Sequence, residues 1–183
     1  MLLAATQVRA IPVTGNIGFT GLLTVNSSSP GSATEVTSWI NPVVNGNTGA
    51  FGSVASGTAV TMAATPWLFN TSTPMANFWS VGGFTFELLS SSIASQGGSS
   101  GVNGFVVIDG TGLVSGNGYT PTVMSFNLSA SDPFAGSNPT SWTFQASGVS
   151  ATTPGVPDGS STAMLLGLAL TGVAWIKRKS VAA

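Results

Sequence analysis

The chain has 183 residues, enough for one domain of ordinary size, and only 5% of them are charged. Lys, Arg and His are absent between Ile11 and Thr153, so this stretch cannot neutralise phosphates, which excludes nucleic acid as a partner. The absence of Cys excludes disulfides and thiolate zinc sites, and the absence of His removes the commonest general base. We expect no cofactor.

Uncharged residues supply most of the polarity. The chain contains 26 Ser, 22 Thr and 24 Gly, and such residues favour strands and turns over helices. Hydrophobic residues make up 43% of the chain and five residues are Trp, which is not the composition of a disordered protein. This balance is typical of extracellular and cell-envelope proteins.

The first ten residues contain a pattern typical of signal-peptide cleavage. Val8-Arg9-Ala10 has small or modest residues at the positions that signal peptidase reads, and Pro12 would follow a cut after Ala10. The basic start and the full apolar stretch of a complete signal peptide are missing or short. We interpret residues 1–10 as the remnant of a signal peptide, and the alternative is an ordinary N-terminal tail.

Residues 11–151 show the period-two alternation of β-strands. Between Met124 and Ala130 apolar side chains occupy the even positions, and Ser125, Asn127 and Ser129 occupy the odd ones. The other strand candidates are Ile17–Val25, Glu35–Ile40, Ala59–Ala63, Phe78–Val81, Phe84–Leu88, Gly104–Ile108, Gly112–Ser115 and Trp142–Ala146.

Turn-forming residues separate these candidates. Asp109-Gly110 predicts a hairpin, and Gly116-Asn117-Gly118 predicts another turn. Loops are predicted at Ser27–Ser32, Asn41–Gly49, Asn70–Pro74 and Ser95–Gly101. The pattern therefore predicts an all-β fold, an antiparallel β-sandwich resembling a jelly roll, followed by a single C-terminal hydrophobic helix.

A linker at residues 152–155 leads to a tail, residues 156–183. Between Ala163 and Ile176 the only polar side chain is Thr171. A helix over about 161–177 would be roughly 25 Å long, slightly short of a hydrocarbon core of about 30 Å. We predict a transmembrane helix there, and a buried core helix is the alternative. The basic cluster that follows, Lys177, Arg178 and Lys179, would remain in the cytoplasm and leave the body outside.

The tail resembles a known class of sorting signal. Val156, Pro157, Asp158, Gly159 and Ser160, followed by the apolar run and the basic cluster, resemble the bacterial PEP-CTERM signals, most closely their VPDSG-type variant. Asp-Gly-Ser stands here where that variant has Asp-Ser-Gly. The resemblance covers about residues 156–179 and implies that an exosortase, a membrane protease-like enzyme, recognises the motif and processes the tail.

Aromatic side chains could pack in the core or stack on sugar rings. We expect Trp39, Trp79 and Trp142 to pack in the core, whereas the pattern around Trp67 leaves both roles open. Trp175 belongs to the tail, where it would lie near the membrane interface.

The carboxylates of the body are Glu35, Glu87, Asp109 and Asp132. Glu87 lies on the polar side of an alternating strand, and we expect Asp109 and Asp132 to hydrogen-bond backbone amides in turns. No spacing typical of a calcium loop is present, and a serine nucleophile would lack a base. We therefore predict no catalytic, cofactor-binding or metal-ligating residue.

These observations predict an exported surface or extracellular-matrix protein of unknown molecular activity, which is not an enzyme. Its partners would be the membrane, through the C-terminal helix, and an exosortase-like processing enzyme. One alternative is an extracellular polysaccharide-binding module. The weakest alternative is a glycoside enzyme that acts on polymers, which would require two converging carboxylates.

Overall fold

The computed structural model describes residues 11–99, 102–132 and 139–148. The chain divides into two units, Met1–Ser150 and Ala151–Ala183, and every described residue belongs to the first. The predicted signal-peptide remnant, the linker and the C-terminal tail with its helix lie outside the described residues. Within the described residues, no helix has the length and hydrophobicity that a membrane span requires.

The described residues form one antiparallel sheet of nine strands. The strands are β1 (Gly15–Val25), β2 (Glu35–Asn47), β3 (Thr61–Met62), β4 (Trp67–Leu68), β5 (Met75–Val81), β6 (Phe84–Ser99), β7 (Val102–Gly116), β8 (Tyr119–Asp132) and β9 (Thr140–Gly148). Their order across the sheet is β3-β5-β6-β7-β8-β9-β1-β2-β4. Two short 3₁₀ helices, Pro30–Ser32 and Gly49–Ser53, lie in the connections.

The prediction of an all-β antiparallel fold is confirmed, but the described strands belong to a single curled sheet rather than to two stacked ones. β2 and β5 are six places apart in the strand order, yet the rings of Trp39 on β2 and Phe78 on β5 are 6.4 Å apart. One face of the sheet therefore bends onto itself, and its two halves provide the opposing walls that separate sheets provide in a sandwich.

Residues Gly57–Phe69, which we call the closing segment, pair with both ends of the curled sheet. Beside β2, Val44 donates to the carbonyl of Thr58 and Val60 donates to that of Pro42, both at 2.9 Å. β3 of the same segment pairs with β5, and β4 pairs with the start of β2. The outermost strands of the sheet are therefore only two residues long.

The core lies on the inner face of the curl, where aromatic residues dominate. Trp79 and Trp142 are buried as predicted, and Trp39 is half-buried and packs against Trp142 at a centroid distance of 5.2 Å. Trp67 is also fully buried and stacks on Trp39 at a centroid distance of 5.9 Å, which assigns it to the core. The alternation predicted for Met124–Ala130 is confirmed, since its even positions are buried.

The hairpin predicted at Asp109-Gly110 is wrong, because β7 runs unbroken from Val102 to Gly116. Gly110 and Gly112 lie against the rings of Phe126 and Phe86, and a Cβ atom at either glycine would overlap the facing ring. Glycine in this strand therefore reflects close aromatic packing rather than a turn.

Two predicted loops are also largely strand. The loop predicted at Asn41–Gly49 belongs to β2 as far as Asn47, and the loop predicted at Ser95–Gly101 belongs to β6 as far as Ser99. Asn41 adopts a φ of 49° beside a shift in the β1–β2 register, so the turn-like residue accommodates an irregularity within a strand. The turn predicted at Gly116-Asn117-Gly118 is confirmed and joins β7 to β8.

Candidate functional site

The outward face of β6, β7, β8, β9 and β1 carries two parallel rows of polar side chains. Strand pairing aligns the first row as Ser92, Asp109, Asn127 and Gln145. It aligns the second row as Ser90, Thr111, Ser125, Ser147 and Asn16. We call these nine residues, with Thr71 and Ser72 beside them, the polar trough.

The rows follow from strand alternation and register. Ile108, Phe126 and Ala146 point into the core, so their neighbours along each strand point outward. Antiparallel pairing then places the outward residues of adjacent strands directly opposite each other, at a strand spacing of about 4.8 Å. The result is a regular array of hydroxyl and amide groups across five strands.

The trough is concave, with a volume of about 790 Å³, within the usual range of ligand sites. The loop that carries Thr71 and Ser72 forms one side of it. Thr71 and Ser91 exchange backbone hydrogen bonds of 3.0 and 2.8 Å, and the Ile93 amide donates to Asn70 Oδ1 at 3.0 Å. This side is therefore held to β6 by three hydrogen bonds.

Hydrogen bonds within the trough engage some of its side chains and leave others available. Asn127 Nδ2 donates to Asp109 Oδ1 at 2.7 Å, and the hydroxyls of Ser90 and Thr111 are 3.1 Å apart. Within the described part of the chain, Gln145 makes no side-chain hydrogen bond and is exposed. The trough thus presents donors and acceptors to solvent.

Glu87 and Asp109 do not form the pair of carboxylates that a glycosidase needs. In the hairpin of β6 and β7, Glu87 on β6 lies opposite Leu113 on β7. Asp109 is four residues from Leu113 along β7, so the positions of Glu87 and Asp109 are four residues apart. That spacing is about 13 Å along a strand, beyond the roughly 5–9.5 Å found between glycosidase carboxylates. Glu87 is on the partly exposed side of β6, as predicted.

The prediction that the two aspartates lie in turns is wrong. Asp109 is in the middle of β7, and Asp132 is the last residue of β8. Asp132 is fully buried, and neither of its carboxylate oxygens has a hydrogen-bond partner among the described residues. A Cβ atom on Gly104 would overlap both Asp132 Oδ1 and the hydroxyl of Ser29, so glycine leaves room for the two polar groups.

Metal and aromatic sites are absent from the described ranges. No group of three or more His, Cys, Asp or Glu side chains lies close enough there to hold a metal ion. Phe105, at 38% exposure, is the exposed aromatic side chain of the described residues. A stacking surface for sugar rings made of two exposed aromatics is therefore not found among them.

The trough is not among the sites predicted from the sequence, where Asp109 is considered as a turn residue or as a catalytic or metal-ligating carboxylate. The available signal was the run of Ser, Thr and Asn at the polar positions of alternating strands. The residues predicted for sorting, Val156–Ser160 and the basic cluster from Lys177 to Lys179, lie outside the described residues.

The body is thus an all-β protein with a polar outer face. Residues 155–180 match a family model described as the VPDSG-CTERM motif, which confirms the resemblance of the tail. No curated protein and no solved structure matches the chain.

Proposed function

We propose that the chain is an exported protein whose tail is recognised by an exosortase-type enzyme, and that the body is a structural component of the cell surface or extracellular matrix. The observation that carries this proposal is the match of residues 155–180 to the VPDSG-CTERM motif. That match spans the motif at Val156–Ser160, the apolar run and the basic cluster, which are the three parts of such a signal.

The body supports a structural role rather than a catalytic one. Its large aromatic side chains are directed to the core, with Trp67, Trp79 and Trp142 buried. Glu87 and Asp109 are too far apart along their hairpin to act as a glycosidase pair. The body also has no His or Lys to serve as a general base, so we propose that it is not an enzyme.

The proposal is tested by expressing the full chain in a bacterium that carries an exosortase and in an isogenic exosortase deletion. We expect a shortened chain at the surface or in the medium of the first strain. In the second strain we expect the full-length chain in the membrane fraction. Identical mass and location in both strains would contradict the proposal.

A matched pair of deletions separates the motif from chain length. Removal of the five residues Val156–Ser160 is expected to block shortening in the exosortase strain while leaving the chain in the membrane fraction. Removal of five residues that follow the last described strand and precede the matched segment, 149–153, is expected to leave processing unchanged. Mass spectrometry of the fractionated chain measures both outcomes.

A further inference from the structure

We propose that the polar trough binds a segment of an uncharged polysaccharide chain. The proposal rests on the proposed function only in placing the body outside the cytoplasm, where such polymers are found. Three observations support it: the register of the two rows, the concavity of the surface and the absence of cationic groups.

The register provides a repeating set of hydrogen-bonding groups. Asn127 and Gln145 are directly opposite each other on β8 and β9, and Ser125 and Ser147 are opposite each other two residues along. Each of β6, β7, β8 and β9 adds one polar group to each row, and β1 adds Asn16 to the second row, at a strand spacing of about 4.8 Å. A polymer lying across the strands would therefore meet a hydroxyl or amide at regular intervals, which suits a ligand that carries several hydroxyls on every unit.

The charge of the trough favours an uncharged ligand. Asp109 is its one charged group, and this carboxylate accepts a hydrogen bond from Asn127. The sequence from Ile11 to Thr153 supplies no Lys, Arg or His that could pair with an anionic polymer. A polyuronate or sulfated glycan would meet repulsion from Asp109 without a compensating cation.

The polarity of the trough argues against a second copy of the chain as its occupant. Stable protein interfaces bury apolar side chains at their centre, whereas the outward side chains that line the trough, among them Asn127, Gln145 and Ser125, are polar. Removing these groups from water would be unfavourable without matching partners. A hydroxylated polymer offers such partners along its whole length.

The mode of binding differs from aromatic stacking. Because no pair of exposed aromatic side chains occurs in the described part of the chain, hydrogen bonds to side-chain amides and hydroxyls would provide the recognition. Such bonds each contribute modestly in water, so we expect weak binding that strengthens with polymer length.

The test uses the purified full chain in a zwitterionic detergent on an array of neutral glucans, mannans and xylans, with alginate and heparin as anionic polymers. We expect binding to at least one neutral class and little binding to the anionic ones. Failure to bind any neutral glycan, or preference for the anionic ones, would overturn the proposal.

Variants locate the binding surface. The double substitution Asn127→Ala/Gln145→Ala is expected to weaken binding about tenfold, because it removes two hydrogen-bonding groups. The matched control is Ser131→Ala/Ser141→Ala, an opposed and exposed pair on the same two strands but outside the trough, and it should leave binding unchanged. Equal effects of the two double variants would refute the location.

Ser125→Ala/Ser147→Ala, in the second row, provides an independent check if the first variant melts at a lower temperature than the parent chain. It is also expected to weaken binding while the control does not. The exosortase experiment measures mass and location only, so either proposal can fail while the other stands.

Discussion

Phe19 on β1 and Trp79 on β5 meet edge to face, with ring centroids 5.1 Å apart and an interplanar angle of 81°. Their strands are five places apart in the order of the sheet, so this contact exists only because the sheet curls. Phe19 also stacks on Phe144 of the neighbouring strand β9, at 5.2 Å. One side chain therefore connects adjacent strands and opposite walls of the core.

We predict that Phe19→Ala lowers the free energy of unfolding by about 3–5 kcal/mol, since it leaves a cavity between the two walls. The control is Leu22→Ala on the same strand, where 41% of the side chain is already exposed. That change should cost less than about 1 kcal/mol. Guanidinium unfolding followed by tryptophan fluorescence measures both values, and equal losses would contradict the assigned role of Phe19.

A second prediction concerns glycine in β7. Gly112→Ala is expected to destabilise the protein by about 1–3 kcal/mol, because the added methyl group overlaps the buried ring of Phe86. Gly46→Ala in β2 meets nothing within 4 Å and should be neutral or slightly stabilising. Thermal melts of the two variants test this difference, and a neutral Gly112→Ala would show that the ring has room to move.

Gly110 and Gly112 of β7 also show what the sequence could and could not predict. Alternation is sufficient to predict β8 and β9, because most of their inward residues are apolar and most of their outward ones polar. In β7 the information lies in the facing strands, where Phe126 and Phe86 fill the space of the missing side chains. An Asp-Gly pair in isolation has the composition of a turn, so the sequence pattern predicts two strands where the protein has one.

The polar trough could not be predicted for a related reason. Each strand shows which of its residues face outward, but alignment of Asn127 with Asp109 and Gln145 depends on the register between strands. Register is set by packing and turn geometry across the whole sheet. The sequence therefore indicates which residues face outward, but not how they align with one another across the strands.

A third prediction concerns the buried carboxylate of Asp132. Asp132→Asn is expected to raise the free energy of unfolding by about 1–3 kcal/mol at neutral pH, since an ionisable group buried without a hydrogen-bond partner in the described part of the chain is replaced by a non-ionisable one of the same shape. Asp109→Asn, at an exposed position, should change it by less than about 0.5 kcal/mol. Chemical denaturation at pH 7 measures both.

A loss of stability in Asp132→Asn would reverse this interpretation. It would mean that the carboxyl group has a favourable partner in the folded protein. A bound cation would be that partner if excess chelator lowered the stability of the parent chain and left the variant unchanged.

A fourth prediction concerns the tail. Replacing Lys177, Arg178 and Lys179 together with Ser is expected to impair membrane retention and processing, because the positive charges orient the preceding apolar segment. Substitution of all three by alternative cations, Lys177→Arg, Arg178→Lys and Lys179→Arg, should preserve both. Cell fractionation with mass spectrometry measures the outcome, and unchanged location and mass in the Ser variant would refute the orienting role.

The closing segment, Gly57–Phe69, affects whether the sheets of neighbouring molecules can join edge to edge. An open sheet edge offers unpaired backbone groups to which a strand of another molecule can add, and this is a common start of fibril growth. Here one stretch of chain pairs with both β2 and β5, so each end of the sheet finishes in a two-residue strand. Crowded copies should therefore remain separate molecules, and any ordered layer they build would have to use side-chain surfaces instead.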